Sequence, residues 1–246
     1  MNSRKLAVGY ETLALQDRAF KLAQQLNLPL DAEALPRLEV KGDRLALLMP
    51  GFAPLYADFS QEAWQDRRAA GKNQGIVRAC KPLPGIKIID ATAGWGRDAA
   101  ILASFGAEVC MIERNPVMAA MLQDALGRLD ESSPLKKSLS LIHGDAKEYL
   151  NSLATEQYPD VIYIDPMHPV RQKSALVKKN MQALQSLLGA DVDALELLQA
   201  ALQRMKQRVV VKWPQRSKPL LKADASISGK TVRFDIYLKK INRPAC

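Results

Sequence analysis

The chain has 246 residues, 25% of them charged and 48% hydrophobic, enough to bury one large core with a small appendage, and this profile excludes a disordered, collagenous or coiled-coil protein. Lys and Arg number 35 against 26 Asp and Glu, and the +9 excess is uneven, +3 over residues 1–84, −5 over 85–170 and +11 over 171–246, which predicts two surfaces with different ligands, one of them polyanionic. Cys80, Cys110 and Cys246 are too scattered for a disulfide framework or a zinc site, and neither a leader segment nor an apolar run of about 18 residues is present, so a metal-free cytoplasmic protein without membrane contact is expected.

Residues 1–80 are expected to form a small N-terminal α+β cap. ETLALQDRAFKLAQQL spaces its apolar residues as a helix, and RLEVKGDRLALL reads as two short strands around a Gly42-Asp43 turn. KPLPG, at residues 81–85, ends that segment with two prolines and a glycine, so a second domain is placed over residues 81–246.

From Ile86 onward strands and helices alternate, the pattern of a parallel sheet with crossover helices on both faces. IKIID, AEVCMIE, SLSLIHG, DVIYID, RVVVKW and VRFDIYLK are the strand runs. GRDAAILASFG, PVMAAMLQDALGRL, SALVKKNMQALQSLLG and DALELLQAALQRMK are amphipathic helices between them. Ser174 and Asp191 suit helix N-caps, and Gly106 and Gly189 suit the position after a helix end. The predicted fold class is α/β, a doubly wound, Rossmann-like and mostly parallel sheet.

IKIID runs directly into ATAGWGRDAA, where Gly94, Gly96 and Ala99 satisfy G-x-G-x-x-G/A between a strand and a helix. That turn serves nicotinamide dinucleotides and S-adenosylmethionine (SAM) alike. A dinucleotide sets its pyrophosphate on the helix N-terminus, but Asp90 and Asp98 crowd that place. Both would repel a pyrophosphate and both suit the ammonium and sulfonium of SAM. Glu113 lies 23 residues after Asp90, where an acid that hydrogen-bonds a ribose is expected. Arg114 beside it either stacks on adenine or pairs with Glu113. Asp145, in LIHGDA, is placed to accept from an adenine amino group, with a plain turn role as the alternative.

DVIYIDPMHP follows the same logic at the fourth strand. Asp165, the Pro166 carbonyl and His168 are similar to the [D/N/S]-P-P-[aromatic] loop of methyltransferases that modify exocyclic amino groups, with Met167 at the second proline. Such an amine is a poor nucleophile because its lone pair is delocalised into the ring. Asp165 and the Pro166 carbonyl would accept its two protons and stabilise the charge that grows on nitrogen, while His168 stacks on the base. Carbon methylation of cytosine would need a cysteine in this loop, and a serine hydrolase would need a G-x-S-x-G elbow; the sequence has neither.

DATAGWGRDA, MIERNP, LIHGDA, YIDPMHP, KSALVKKNM, RVVVKWP and RFDIY, in this order and spacing, resemble the bacterial ribosomal RNA small subunit methyltransferase J family. The resemblance covers roughly residues 58–237. It implies a class I methyltransferase that uses SAM to methylate N2 of a guanine in 16S rRNA, alone or in the 30S subunit. It also implies cofactor contacts at Arg97, Asp98, Glu113, Arg114, Asp145, Ala146 and Asp165.

For RNA, Arg171, Lys173, Lys178 and Lys179 flank DPMHP, with Arg204, Lys206, Arg208 and Lys212 further on. Arg67, Arg68 and Lys72 form a second basic group, and Trp95 and Trp213 are candidates for stacking. A monomer is expected. The competing readings are a catalytically silent ribosome-assembly factor on the same fold and a nicotinamide-dependent oxidoreductase.

Overall fold

A computed structural model describes residues 6–166 and 193–240, with the backbone alone at Lys72. At its N-terminal end β1 (Ala7–Tyr10), β2 (Arg37–Val40) and β3 (Leu45–Leu48) form a three-stranded sheet, β1 parallel and β3 antiparallel to β2. The Gly42-Asp43 turn joins β2 to β3, with the Lys41 N–H donating to the Arg44 carbonyl. α1 (Gln16–Leu26) follows a 3-10 turn at Leu13–Leu15, lays Ala19 and Ala23 on β1, and stops at Asn27 in the left-handed region. Two helices absent from the sequence reading come next, α2 (Gln61–Ala69) and α3 (Gly75–Cys80).

The alternating segments beyond them build a seven-stranded sheet. Its strands are β4 (Lys87–Asp90), β5 (Glu108–Glu113), β6 (Leu139–His143), β7 (Val161–Ile164), β8 (Arg208–Pro214), β9 (Ala225–Ser228) and β10 (Val232–Leu238). Their order is β6-β5-β4-β7-β8-β10-β9, parallel as far as β8 and antiparallel for β10 and β9. β7, VIYI, is buried at every position, as a central strand covered on both faces must be. β9 went unread because ASIS sits on an open edge and carries no apolar signal.

Crossover helices α4 (Arg97–Ser104), α5 (Pro116–Gly127), α6 (Ala146–Ser152) and α7 (Ala194–Gln203) cover the sheet. α5 begins with Pro116 in its first turn and with Asn115 as cap, whose side chain accepts from the N–H groups of Val117 and Met118 at 2.9 and 3.2 Å. α4 ends at Gly106, at φ 93°, where a Cβ would come within 2.9 Å of Pro84. α6 was not expected. The helix expected at SALVKKNMQALQSLLG, with Ser174, Gly189 and Asp191, lies outside the described residues.

One apolar core runs from Val8 and Leu38 of the small sheet through Phe59 and Trp64 to Leu102, Met111 and Met118 of the large one. A second fills the opposite face with Ile89, Ile162, Leu198 and Val209. α2 packs on α4, and α3 on β8 and β10, so both lie against the large sheet's layer. Strand order reverses about β4, which opens a crevice beyond the carboxyl ends of β4 and β7. Among the described residues no helix is long and apolar enough to cross a membrane.

Candidate active site

A cleft of about 630 Å³ occupies that crevice. Its floor is the turn after β4. Pairing continues past the strand, with the Ala91 N–H on the Tyr163 carbonyl and the Ala93 N–H on the Ile112 carbonyl, and the chain then turns through Gly94 and Gly96 at φ 53° and 70°. Glycine holds such angles at the least cost, because it has no Cβ. At Gly96 a Cβ would also lie 2.6 Å from Phe59 Cζ, while at Gly94 the space is open.

Glu113, at the end of β5, holds this turn. Its Oε2 accepts from the Gly94 N–H at 2.9 Å and its Oε1 from the Asn115 N–H at 2.8 Å. Asp145 caps α6, its Oδ1 accepting from Lys147 and Glu148 N–H at 2.8 and 3.1 Å, and Ala146 beside it lines the cleft. Arg114 pairs with Asp193 at 3.0 Å across the cleft mouth. Arg97 also lines the cleft.

The opposite wall is a charge network. Asp98, in the first turn of α4, is bound by Arg67 at 2.8 Å, by the Tyr163 hydroxyl at 2.7 Å and by Lys212 at 3.1 Å. Lys212 also reaches Asp165 Oδ2 at 2.6 Å, and the Asp165 N–H donates to Thr92 Oγ1 at 2.6 Å. Asp165 is thus tied to the glycine turn through its backbone N–H and to the end of β8 through its carboxylate. Pro166 lines the cleft next to it. His168, Arg171, Lys173, Lys178 and Lys179 lie outside the described residues, as does the Lys72 side chain.

Burial pushes the Asp98 carboxyl up, but Lys212 and Arg67 outweigh it and hold it below the usual aspartate value. Lys212 shows the mirror image: burial works against its charge, and Asp165 and Asp98 keep it well above an ordinary lysine. Asp90, only 1% exposed, is pushed up to about 8 by burial, with the Asp98, Asp165 and Glu113 charges adding to the effect. The two acids expected to repel a pyrophosphate are therefore no pair of bare charges. Asp98 is neutralised by two cations, whereas Asp90 has one Thr92 N–H at 3.2 Å to set against its burial and the neighbouring carboxylates, so its proton is held more tightly than an ordinary aspartate's.

Six basic residues have placements different from the expected RNA wall. Arg67 and Lys212 belong to the cleft network, and Arg68 closes the end of α4 through the Ser104 carbonyl at 2.9 Å while lying over Phe105. Arg204, Lys206 and Arg208 sit at the amino end of β8, the edge of the sheet opposite the cleft. Thr92 and Tyr163 are site residues that the sequence reading missed. The signal for Lys212 was present in RVVVKWP, where a lysine interrupts an otherwise apolar central strand.

The donor set suits SAM. The Gly94 backbone has no close neighbour on its Cβ side, Glu113 and Asp145 place carboxylates on the cleft wall, and about 630 Å³ lies within the range of small-molecule pockets. A family described as "Putative SAM-dependent methyltransferase" matches residues 21–239. Proteins called ribosomal RNA small subunit methyltransferase J are 58% identical in Legionella pneumophila (strain Corby), over 98% of this chain and 99% of that protein, and 46% identical in Coxiella burnetii (strain Dugway 5J108-111), over 96% and 97%. The crystal structure of a SAM-dependent methyltransferase from Neisseria gonorrhoeae superposes with a TM-score of 0.73 at 30% identity, covering 95% of this chain and 96% of that one. Fold and cleft define a class I SAM-dependent methyltransferase. The chain belongs to the ribosomal RNA small subunit methyltransferase J family.

Proposed function

We propose that this enzyme methylates the exocyclic N2 of a guanine in 16S rRNA, acting as a cytoplasmic monomer without a metal ion. The observation that carries the reading is Asp165, held by Thr92 and Lys212 between the cofactor turn and the end of β8, with Pro166 following it. A carboxylate and a carbonyl at that point match the two hydrogens of an exocyclic amine. The names of the relatives supply the RNA.

Glu113 holds the ribose, Asp145 and Ala146 the adenine side, and Gly94, Gly96 and Arg97 the turn beneath the cofactor. Bound SAM supplies a methyl group on a sulfonium that leaves as a neutral thioether. Asp165 and the Pro166 carbonyl accept the two N–H groups of the guanine amine and favour a pyramidal nitrogen, whose lone pair forms the new N–C bond. One amine proton is then released, to Asp165 or to water. Lys212 acts as a positioning residue that holds the Asp165 carboxylate in one rotamer. His168 stacks on the base, and Arg171, Lys173, Lys178 and Lys179 receive phosphates near it. The cap is residues 1–80 and the catalytic domain 81–246, with α2 and α3 as the part of the cap that packs on that domain.

Methyl transfer from labelled SAM to under-methylated 16S rRNA and, separately, to 30S subunits tests the reading. Labelled N2-methylguanosine by nucleoside mass spectrometry is the expected product. SAM binding without label in either particle would favour a silent assembly factor instead.

A further inference from the structure

Beyond Lys212 the chain enters a loop that is held from beneath by buried groups. Arg233 Nη1 on β10 donates to the carbonyls of Pro214, Gln215 and Ser217, each at 2.9 Å. Asp235 fixes that guanidinium through Nε at 2.9 Å, and the Trp213 indole N–H donates to the Lys218 carbonyl at 2.8 Å. Four carbonyls of one short loop therefore point inward. Their negative dipole ends are turned away from solvent, and the outer face carries Arg216 and Lys218, both exposed.

The β9–β10 turn is joined to this loop. The Gln215 N–H donates to the Thr231 carbonyl at 3.0 Å and the Gln215 side chain to Ser228 Oγ at 3.3 Å, which sets the exposed Lys230 beside it. Among the described residues Arg216, Lys218 and Lys230 form no ion pair. The acids nearest in sequence are occupied, Asp235 by Arg233 and Asp224 by the Leu238 N–H. What sets these three cations apart is the fixed backbone that carries them, held by Arg233, Trp213 and Gln215.

Register gives the surface its location. Ile164 is opposite Val211, so Asp165 faces Lys212, and Pro214, opposite Val232, stands two residues further along. Both loops thus rise about 7 Å beyond the reacting carboxylate on the β8–β10–β9 side, at strand spacings of about 4.8 Å. An RNA strand whose base enters the cleft from the β8–β10–β9 side carries its backbone past this rim.

We propose that Arg216, Lys218 and Lys230 form a phosphate-binding rim that holds the RNA backbone flanking the target base. The inference rests on the RNA methylation reading and adds a site to it. The test is the triple variant Arg216→Gln, Lys218→Gln, Lys230→Gln, assayed for binding to 16S rRNA across salt concentrations and for methylation.

The expected result is 16S rRNA binding weakened by about 10–100-fold and a log–log salt dependence shallower by about 2, since each lost single-strand phosphate contact removes about 0.7. SAM affinity and the rate at saturating RNA stay at wild-type values, and the charge-keeping set Arg216→Lys, Lys218→Arg, Lys230→Arg restores binding. Unchanged RNA affinity and slope, in an enzyme whose wild type methylates RNA, would overturn the rim and leave the methylation reading standing. A loss seen on 30S subunits but not on naked 16S rRNA would also overturn it, in favour of a ribosomal protein as the partner. A wild type that neither binds nor methylates RNA would remove both.

Discussion

Lys212 and Asp165 meet at 2.6 Å across the carboxyl ends of neighbouring strands β8 and β7, and the same ammonium reaches Asp98 on α4 at 3.1 Å. One cation thus joins the loop after β7, the helix that follows the glycine turn and strand β8. The three charges are partly buried, so their attraction is stronger than that of a surface pair, yet each is compensated.

Lys212→Met keeps the aliphatic stem and removes the charge. The turnover number should fall by about 10–100-fold, the size of one lost hydrogen bond to a charged group. The Asp98 pKa should rise, because Lys212 is the strongest influence lowering it. Carboxyl NMR and steady-state kinetics measure the two effects, and unchanged turnover would remove the positioning role.

Asp165→Asn removes the carboxylate that receives the amine. Methyl transfer should drop by about 10²–10³-fold, while binding to 16S rRNA stays at the wild-type level. Single-turnover assays beside filter binding separate the two quantities. An equal loss in both would assign Asp165 to RNA binding alone.

Asp90 sets a pH dependence of stability. Its folded pKa, about 8, lies above the unfolded value near 3.8, so the folded state binds the extra proton between those limits. Stability from this group is then highest below about pH 4 and declines as pH rises towards 8, at up to about 1.4 kcal/mol per unit. Urea unfolding of the SAM-free protein should show Asp90→Asn gaining on wild type from pH 5 to pH 8 and levelling off above. A constant difference across that range would mean that Asp90 is ionised throughout.

Gly96→Ala and Gly94→Ala separate packing from ligand space. Both force a side chain into the left-handed region, at about 1–2 kcal/mol, but only Gly96 adds a clash, with Phe59 at 2.6 Å. Gly96→Ala should cost about 2–4 kcal/mol in chemical unfolding. Gly94→Ala should cost less and act chiefly on SAM affinity, because its new methyl group has open space beside the cleft. Equal stability losses would contradict this assignment.

Local order was legible wherever the code is local. Apolar spacing located β4 to β8 and β10, and the strand–glycine–helix junction located the cofactor turn, because a positive φ and a close helix approach demand glycine whatever lies around them. β1, β9, α2, α3 and α6 carried no comparable signal. β1 and β9 are four-residue strands at sheet edges, while α3 and α6 are one to two turns long and owe their helicity to what they pack against.

Charge state was not legible, for a reason of distance along the chain. Arg67 and Lys212 lie 31 and 114 residues from Asp98, and only the folded sheet brings them to it. The residue types, the order of the motifs and their place at strand ends follow from local stereochemistry and from burial patterns of period 2 and 3.6. Which acid is buried among like charges, which lysine meets Asp165 and which cations stay exposed follow from desolvation and from neighbours supplied by other elements, and those exist only once the chain has closed around the cleft.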